Sequence, residues 1–369
     1  MFSRRAHWSA PPNRLSIARA QHRGALLDLT NANPTKAGLP YPLDELSEVM
    51  ARAARAPYEP EPLGLPVARD AIAQHLGCSY DEVVITASTS EAYSFLFKLL
   101  CDPGDAVATP VPSYPLLEHL AALELIALRH FPMEWHGRWE LDAARVPPGT
   151  KALIVVNPNN PTGAYVREPL DLGIPIISDE VFHEYAFDDD PSPRPRGEGG
   201  RRPGEGRHSS RMSIGDFTLG GLSKSCGLPH YKLGWIRVRD SRAVQALELI
   251  ADNFLSVATP VQAALPDLLR LGAQIREAIR ARTRASLGVL RDVLVDKPHA
   301  QLLEPEGGWT AVIRLPATMT DEDFAIDALE RHGVLVQPGY FFDFDRDGYF
   351  VVSLLTDPEI LREGIKRIT

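Results

Sequence analysis

ALIVVNPNNPTG, from Ala152 to Gly163, sets a continuous apolar run directly against a turn rich in proline and glycine. The run Ala152–Val156 shows no polar/apolar alternation, the pattern of a strand buried on both faces. Such strands belong to parallel sheets covered by helices, and ligands bind at the carboxyl ends of strands in open sheets of that kind. The turn holds the Asn160 amide in a fixed orientation at that end. A plain Asx/Pro turn would share the same local chemistry.

The same grammar extends in both directions. Ile174–Ser178 is a second continuous apolar run, and Val83–Thr86, Ala106–Thr109, Phe217–Gly220 and Trp235–Val238 read as further strands. Between them lie helical patterns. Pro66–Leu76 has proline in its first turn and Gly77 beyond its end; SEAYSFLFKLL starts at Ser90; Tyr114–Leu123 follows. Strands alternating with helices predict an α/β domain with a mostly parallel sheet. Residues 1–40 read as an extended arm with turns. After Pro260 the pattern changes: two long helical stretches over 261–296 precede strands at 310–315 and 349–354 and helices at 321–332 and 357–368. The predicted layout is an arm over 1–45 that completes a smaller α+β domain at 261–369, around a large α/β domain at 46–260. Within the large domain, Pro191–Arg211 is dense in Pro, Gly and Arg and nearly free of apolar residues, so it reads as a disordered insertion.

Composition narrows the function. The chain has 369 residues and a formal net charge of −9, which argues against broad nucleic-acid binding, since that needs a basic face. No apolar run reaches a membrane span, and MFSRRAHWSAPPNR lacks the apolar core of a signal peptide. Cys78, Cys101 and Cys226 have no metal-ligand spacing; an odd, sparse set suits reduced thiols, hence a cytoplasmic location.

Two more strand ends carry chemistry. Ile176-Ile-Ser-Asp179-Glu180-Val-Phe182 places Asp179 after an apolar strand, either as a helix N-cap or as an acid paired with a buried cation. Gly220-Gly221-Leu222-Ser223-Lys224 and the following Lys232-Leu-Gly234-Trp235 place Lys224 after a strand among small residues. A lysine there loses hydration, its pKa falls, and it becomes a nucleophilic amine.

NPNNPTG, SDEVF and GGLSKS with KLGW, in that order, resemble the class I/II aminotransferases, the fold-type I enzymes dependent on pyridoxal 5′-phosphate (PLP), over nearly the whole chain. The resemblance implies a transfer of an amino group between an amino donor, an amino acid, and a 2-oxo acid. It implies Lys224 as the Schiff-base lysine, Asp179 as partner of the ring nitrogen and Asn160 as partner of the ring hydroxyl. Tyr114, in Pro112-Ser-Tyr114-Pro115, matches the aromatic stacked on the ring, with a core aromatic as the alternative. Ser88 and Thr89 match the phosphate-holding turn at a helix N-terminus, and Ser223 and Lys232 match further phosphate ligands. Tyr58 resembles the tyrosine that reaches the phosphate of a neighbouring subunit, which implies a homodimer. Asn33 and Gly38 resemble the arm over the substrate. Trp309, after Pro305-Glu-Gly-Gly308, lines the substrate mouth or packs in the core. No metal is implied.

Departures from the family pattern qualify the reaction. Phe182 stands where many relatives have tyrosine, Lys232 replaces a usual arginine, and Gly221 sits where serine is common. Val351 occupies the strand position where relatives place an arginine for the substrate carboxylate. Arg314 and Arg346 are the candidates to replace it, unless the substrate lacks that group. Gly163–Gly173 barely suffices for a parallel crossover, so an outer helix is expected to be missing. A PLP-dependent lyase or decarboxylase, and a degenerate PLP-binding protein without catalysis, are the alternative readings.

Overall fold

The computed structural model describes Ser3, Arg5, residues 11–187 and residues 214–369; the insertion expected at Pro191–Arg211 lies outside the described residues. Seven strands form the larger sheet: β1 (Val83–Thr86), β2 (Ala106–Val111), β3 (Ala127–Pro132), β4 (Leu153–Val156), β5 (Ile176–Asp179), β6 (Phe217–Gly221) and β7 (Gly234–Val238). Their spatial order is β1-β7-β6-β5-β4-β2-β3. Every residue of β1, β4, β5 and β6 is buried, the few polar ones (Thr86, Ser178, Asp179, Thr218) included.

The helices are α1 (Arg14–Gln21), α2 (Leu43–Ala53), α3 (Pro66–Leu76), α4 (Thr89–Leu100), α5 (Leu116–Leu123), α6 (Leu222–Ser225), α7 (Ser241–Asp252), α8 (Thr259–Leu294), α9 (Asp321–His332) and α10 (Pro358–Ile368). One apolar cluster joins Ile72 of α3 and Leu268 and Ile275 of α8 to Ile85 and Trp235 of the sheet. On the other face, Phe95 and Phe97 of α4 and Leu247 of α7 pack with Ile154, Ile177 and Ile236. The sheet is therefore the middle layer of three.

Strand direction decides where a site can form. β3, β2, β4, β5 and β6 are mutually parallel, and β7 is antiparallel to both β6 and β1. Hence the carboxyl ends of β1, β4, β5 and β6 and the amino end of β7 meet at one edge. The register makes this concrete: Val156 pairs with Asp179, Asp179 with Leu219, Gly221 with Gly234, and Gly234 with Thr86. Gly220 has to be glycine, because a Cβ there would lie 2.4 Å from the ring of Trp235 on the neighbouring strand.

A smaller antiparallel sheet follows, made of β8 (Gln301–Leu303), β9 (Thr310–Arg314), β10 (Gln337–Pro338) and β11 (Tyr349–Ser353) in the order β8-β9-β11-β10. Ile313, Phe350 and Val352 on its inner face pack with Leu287 and Leu290 of α8, Leu329 of α9 and Leu361 and Ile365 of α10.

Two expectations are corrected. The stretch read as two helices is the single helix α8, 36 residues long with Pro266 inside it. Its stripe of Leu265, Leu268, Leu271, Ile275 and Ile279 is fully buried, and that burial outweighs the hydrogen bond a proline removes. The arm is not wholly extended. α1 forms because Asn13 Oδ1 accepts the Ser16 N–H at 2.7 Å, a local cap that the apolar pattern did not reveal. Leu27–Asp28 then pairs in parallel with Val334–Leu335. The missing outer helix is as expected: residues 157–175 join β4 to β5 with no helix, and the space beside them is lined by Trp139, Val155, Tyr165 and Leu170.

Candidate active site

Asp179 ends β5 only 5% exposed. Its Oδ1 accepts the Val181 N–H at 3.2 Å, and its Oδ2 accepts the Tyr93 hydroxyl at 3.0 Å. Burial pushes this carboxyl up to about 6, with Glu180 acting in the same direction and Val181 N–H, Tyr93 and Lys224 opposing. It caps no regular α-helix; the following residues are turns.

Lys224 lies in α6, the single turn of helix that leaves β6. Its amine is 5.0 Å from the ring centre of Trp309 and 5.7 Å from that of Phe182. Burial lowers its pKa, and the charge of Asp179 acts against that fall. The lysine backbone is clamped from behind: the Tyr185 hydroxyl donates to the Lys224 carbonyl at 2.6 Å, and Arg276 donates to the next carbonyl, that of Ser225, at 3.3 Å. Trp309, 2% exposed, sits edge-on to both Phe182 (5.3 Å) and Tyr185 (5.2 Å). Trp309 is therefore packed between these two rings and within reach of the amine.

The turn after β4 is locked by its own side chains. Asn159 Oδ1 accepts the Thr162 N–H and hydroxyl, Asn157 Oδ1 accepts the Val166 N–H, and Thr310 bonds the Pro161 carbonyl. Gly163, at φ +72°, touches the 305–307 backbone so closely that a Cβ would lie 2.5 Å from the Gly307 oxygen. Asn160 differs from its neighbours. Its Oδ1 is buried with no hydrogen-bond partner among the described residues, which is costly unless a ligand supplies one.

At the end of β1, Ser88 caps α4 by accepting the Glu91 N–H at 3.2 Å, while the Glu91 carboxylate accepts the Ala87 N–H at 2.7 Å. Thr89 and Ser90 begin the helix, so their N–H groups have no intrahelical partner. Gly221 and Gly234 let the neighbouring strands close on this turn; a Cβ on Gly234 would lie 2.8 Å from the Ser88 carbonyl carbon. Ser223, next to Lys224 in the chain, is half-buried. Tyr114 is half-buried and feels the Asp179 charge, which with burial raises its pKa.

The other expected residues stand further out. Lys232 is exposed, in the left-handed backbone region at φ +48°. Tyr58 is 70% exposed. Asn33 caps the turn Pro34–Lys36 through Thr35, and Gly38 has φ +67° with open space around it. Val351 is fully buried among Met133, Trp139, Ala164 and Phe342. Of the two arginines weighed against it, Arg314 bonds Gln301 and Arg346 donates to the Tyr349 hydroxyl at 3.1 Å. Sequence reading missed Tyr93 and Tyr185. The sequence showed only that such hydroxyls must find partners if buried, not which partners.

The sequence profile of "Aminotransferase class I and II" matches residues 31–368. The chain belongs to this family. Nicotianamine aminotransferase 1 of Oryza sativa subsp. japonica is 28% identical over 84% of the chain and 66% of its own length. Probable aminotransferase TAT1 of Arabidopsis thaliana is 31% identical over 83% of the chain and 72% of its own length. The chain thus spans about two thirds of these plant relatives. Among solved structures, an aminotransferase from Mycobacterium tuberculosis superposes with a TM-score of 0.80 at 23% identity, covering 100% of this chain and 98% of that one. The fold is that of the fold-type I aminotransferases.

Among the described residues no helix is long and apolar enough to cross a membrane.

Proposed function

We propose that the chain is a PLP-dependent aminotransferase that moves an amino group between an amino acid and a 2-oxo acid. The observations that carry this reading are the buried Asp179 carboxylate acting on the buried Lys224 amine, and an Asn160 amide oxygen buried without a hydrogen-bond partner among the described residues. The residues fit PLP: a buried acid for a ring nitrogen, a side-chain amide for a ring oxygen, an amine for the aldehyde, and a glycine-flanked helix N-terminus for a phosphate. When bound, that group supplies an electron sink for the carbon bearing the amine.

The chain's own residues do the rest. Burial keeps a larger fraction of the Lys224 amine neutral near neutral pH than a solvated lysine would have. It can therefore bond the cofactor and, once displaced, take and return the proton of the substrate carbon. Asp179 would hold the proton of a bound ring nitrogen. Tyr185 and Arg276 fix the Lys224 backbone, so the amine swings from a rigid base. Trp309 and Phe182 exclude water from around the amine.

A second copy of the chain completes this reading. Tyr58, Phe254 and Leu255 are exposed, and Tyr58 and Leu255 line one cavity with Phe95 and Gln262. An exposed apolar cluster of this kind suits an interface between subunits, with Tyr58 reaching the partner's site. Three unpaired cysteines suit a reducing, cytoplasmic location.

The test is to load the purified protein with PLP and divide it: one portion is reduced with borohydride and its attachment mapped by mass spectrometry, and the other, unreduced, is incubated with a panel of amino acids. Attachment at Lys224 and accumulation of pyridoxamine phosphate with a keto product are expected. The Lys224→Ala variant should show neither. Attachment at another lysine, or release of ammonia without pyridoxamine phosphate, overturns the reading.

A further inference from the structure

Tyr93 lies one helical turn beyond Thr89 on α4. The helix whose first turn borders the glycine-flanked end of the site therefore also delivers a phenol to the acid at the other end. The Tyr93 ring is 1% exposed and packs against Phe97, with ring centres 6.0 Å apart. Its hydroxyl donates a hydrogen bond to Asp179 Oδ2 at 3.0 Å. A buried phenol needs some acceptor, and any carbonyl would serve a purely structural ring. This one is spent on the carboxylate that faces Lys224.

The groups around Asp179 come from four elements: Tyr93 from α4, Tyr114 from the loop before α5, Glu180 from its own strand end, and Lys224 from α6. Burial and the Glu180 charge favour the protonated acid, and the Tyr93 hydroxyl and Val181 N–H favour the anion. Lys224 also favours the anion, but only while it carries a proton. An amine tied up with an aldehyde, or neutral, contributes less, and the fixed donors remain.

We infer that Tyr93 is a positioning residue for Asp179, holding its carboxylate ionised and aimed into the site while Lys224 changes its bonding. This rests on the function proposed above. Removing the hydroxyl takes away a donor to the charged form, so Asp179 becomes protonated at a higher pH. A hydrogen bond to a buried charge corresponds to a shift of about one pH unit, a tenfold change in the acid constant.

The experiment uses the full chain as wild type, Tyr93→Phe, Asp179→Asn and the double variant. Phenylalanine keeps the ring, so the packing on Phe97 is retained. Infrared titration of the cofactor-free protein follows the protonated-carboxyl band that Asp179→Asn removes, and its midpoint should rise by about one unit in Tyr93→Phe. Binding of pyridoxamine phosphate, which makes no bond to Lys224, should weaken about tenfold in Tyr93→Phe at about pH 5, below both midpoints, but change less than about twofold when Asp179→Asn is already present. An unchanged infrared midpoint, or equal losses in both backgrounds, overturns the inference. If wild type binds neither pyridoxamine phosphate nor PLP, the proposed function fails, and the infrared midpoint still decides the role of Tyr93.

Discussion

The two ends of the site handle charge in opposite ways. At the Asp179 end a carboxyl is taken out of water and rebuilt into a defined environment. One oxygen is bonded by a backbone N–H, the other by a phenol, and the pKa sits near 6. At the Ser88–Thr89 end no buried ionised side chain is needed. A helix N-terminus offers first-turn N–H groups, and two glycines let adjacent strands close around it. The first arrangement costs stability and responds to pH. The second costs conformational freedom and responds to volume. Each can be broken by a different kind of substitution, and that difference separates the predictions.

The largest effect is expected from Asp179→Asn. An amide cannot hold the proton of a ring nitrogen electrostatically, so amino-group transfer should fall by about a hundredfold or more, measured as kcat/KM with a good amino donor. The same change should stabilise the cofactor-free protein. Asp179 has a folded pKa of about 6 against an ordinary 3.8, so the folded state binds its proton more readily than the unfolded chain. Its contribution favours folding at low pH and is lost as pH rises through about 6. Near neutral pH the penalty is of order 1–3 kcal/mol, and urea unfolding should show Asp179→Asn more stable by that order, with the gap closing towards about pH 4. A wild type that outlasts the variant at every pH would mean the acid is not strained by burial.

Next in size is a change of volume at the other end. Gly234→Ala would place a Cβ 2.8 Å from the Ser88 carbonyl carbon and 3.0 Å from the Thr89 nitrogen. The turn has to shift, and overpacking of this kind costs about 1–3 kcal/mol, so PLP affinity should fall roughly tenfold by equilibrium dialysis. The loss should be the same at pH values on either side of the Asp179 midpoint. Gly221→Ala, whose Cβ would stand 3.2 Å from the Leu233 oxygen, should cost less.

How far these ends were legible in sequence follows the same division. Asp179, Lys224 and Asn160 could be placed near the ends of apolar runs that read as buried strands, and the family resemblance of their motifs supplied their roles. The Ser88–Thr89 turn was legible only through the family resemblance. Tyr93 was not, because in SEAYSFLFKLL it occupies an apolar position of a helix, and only the fold shows that its hydroxyl reaches β5. α1 was missed because it rests on one cap by Asn13 rather than on an apolar stripe. α8 was read as two helices because Pro266 is a local breaker whose cost is offset by long-range packing with α2 and α3. What sequence hides is what depends on a partner distant along the chain.

Lys232 offers the smallest effect and the sharpest check on the comparison. The family resemblance makes it a phosphate ligand, yet it is exposed and lies beyond the glycine-lined turn. If the phosphate end works through backbone donors, an exposed ammonium adds only a screened, long-range attraction. Lys232→Met should then weaken PLP binding by no more than about fivefold in dilute buffer, and the difference should shrink to near nothing at about 0.5 M salt. A loss as large as that of Gly234→Ala, persisting at high salt, would show that the lysine folds inward on the bound phosphate. The glycine-flanked helix terminus would then be only half of that end, and charge would govern both.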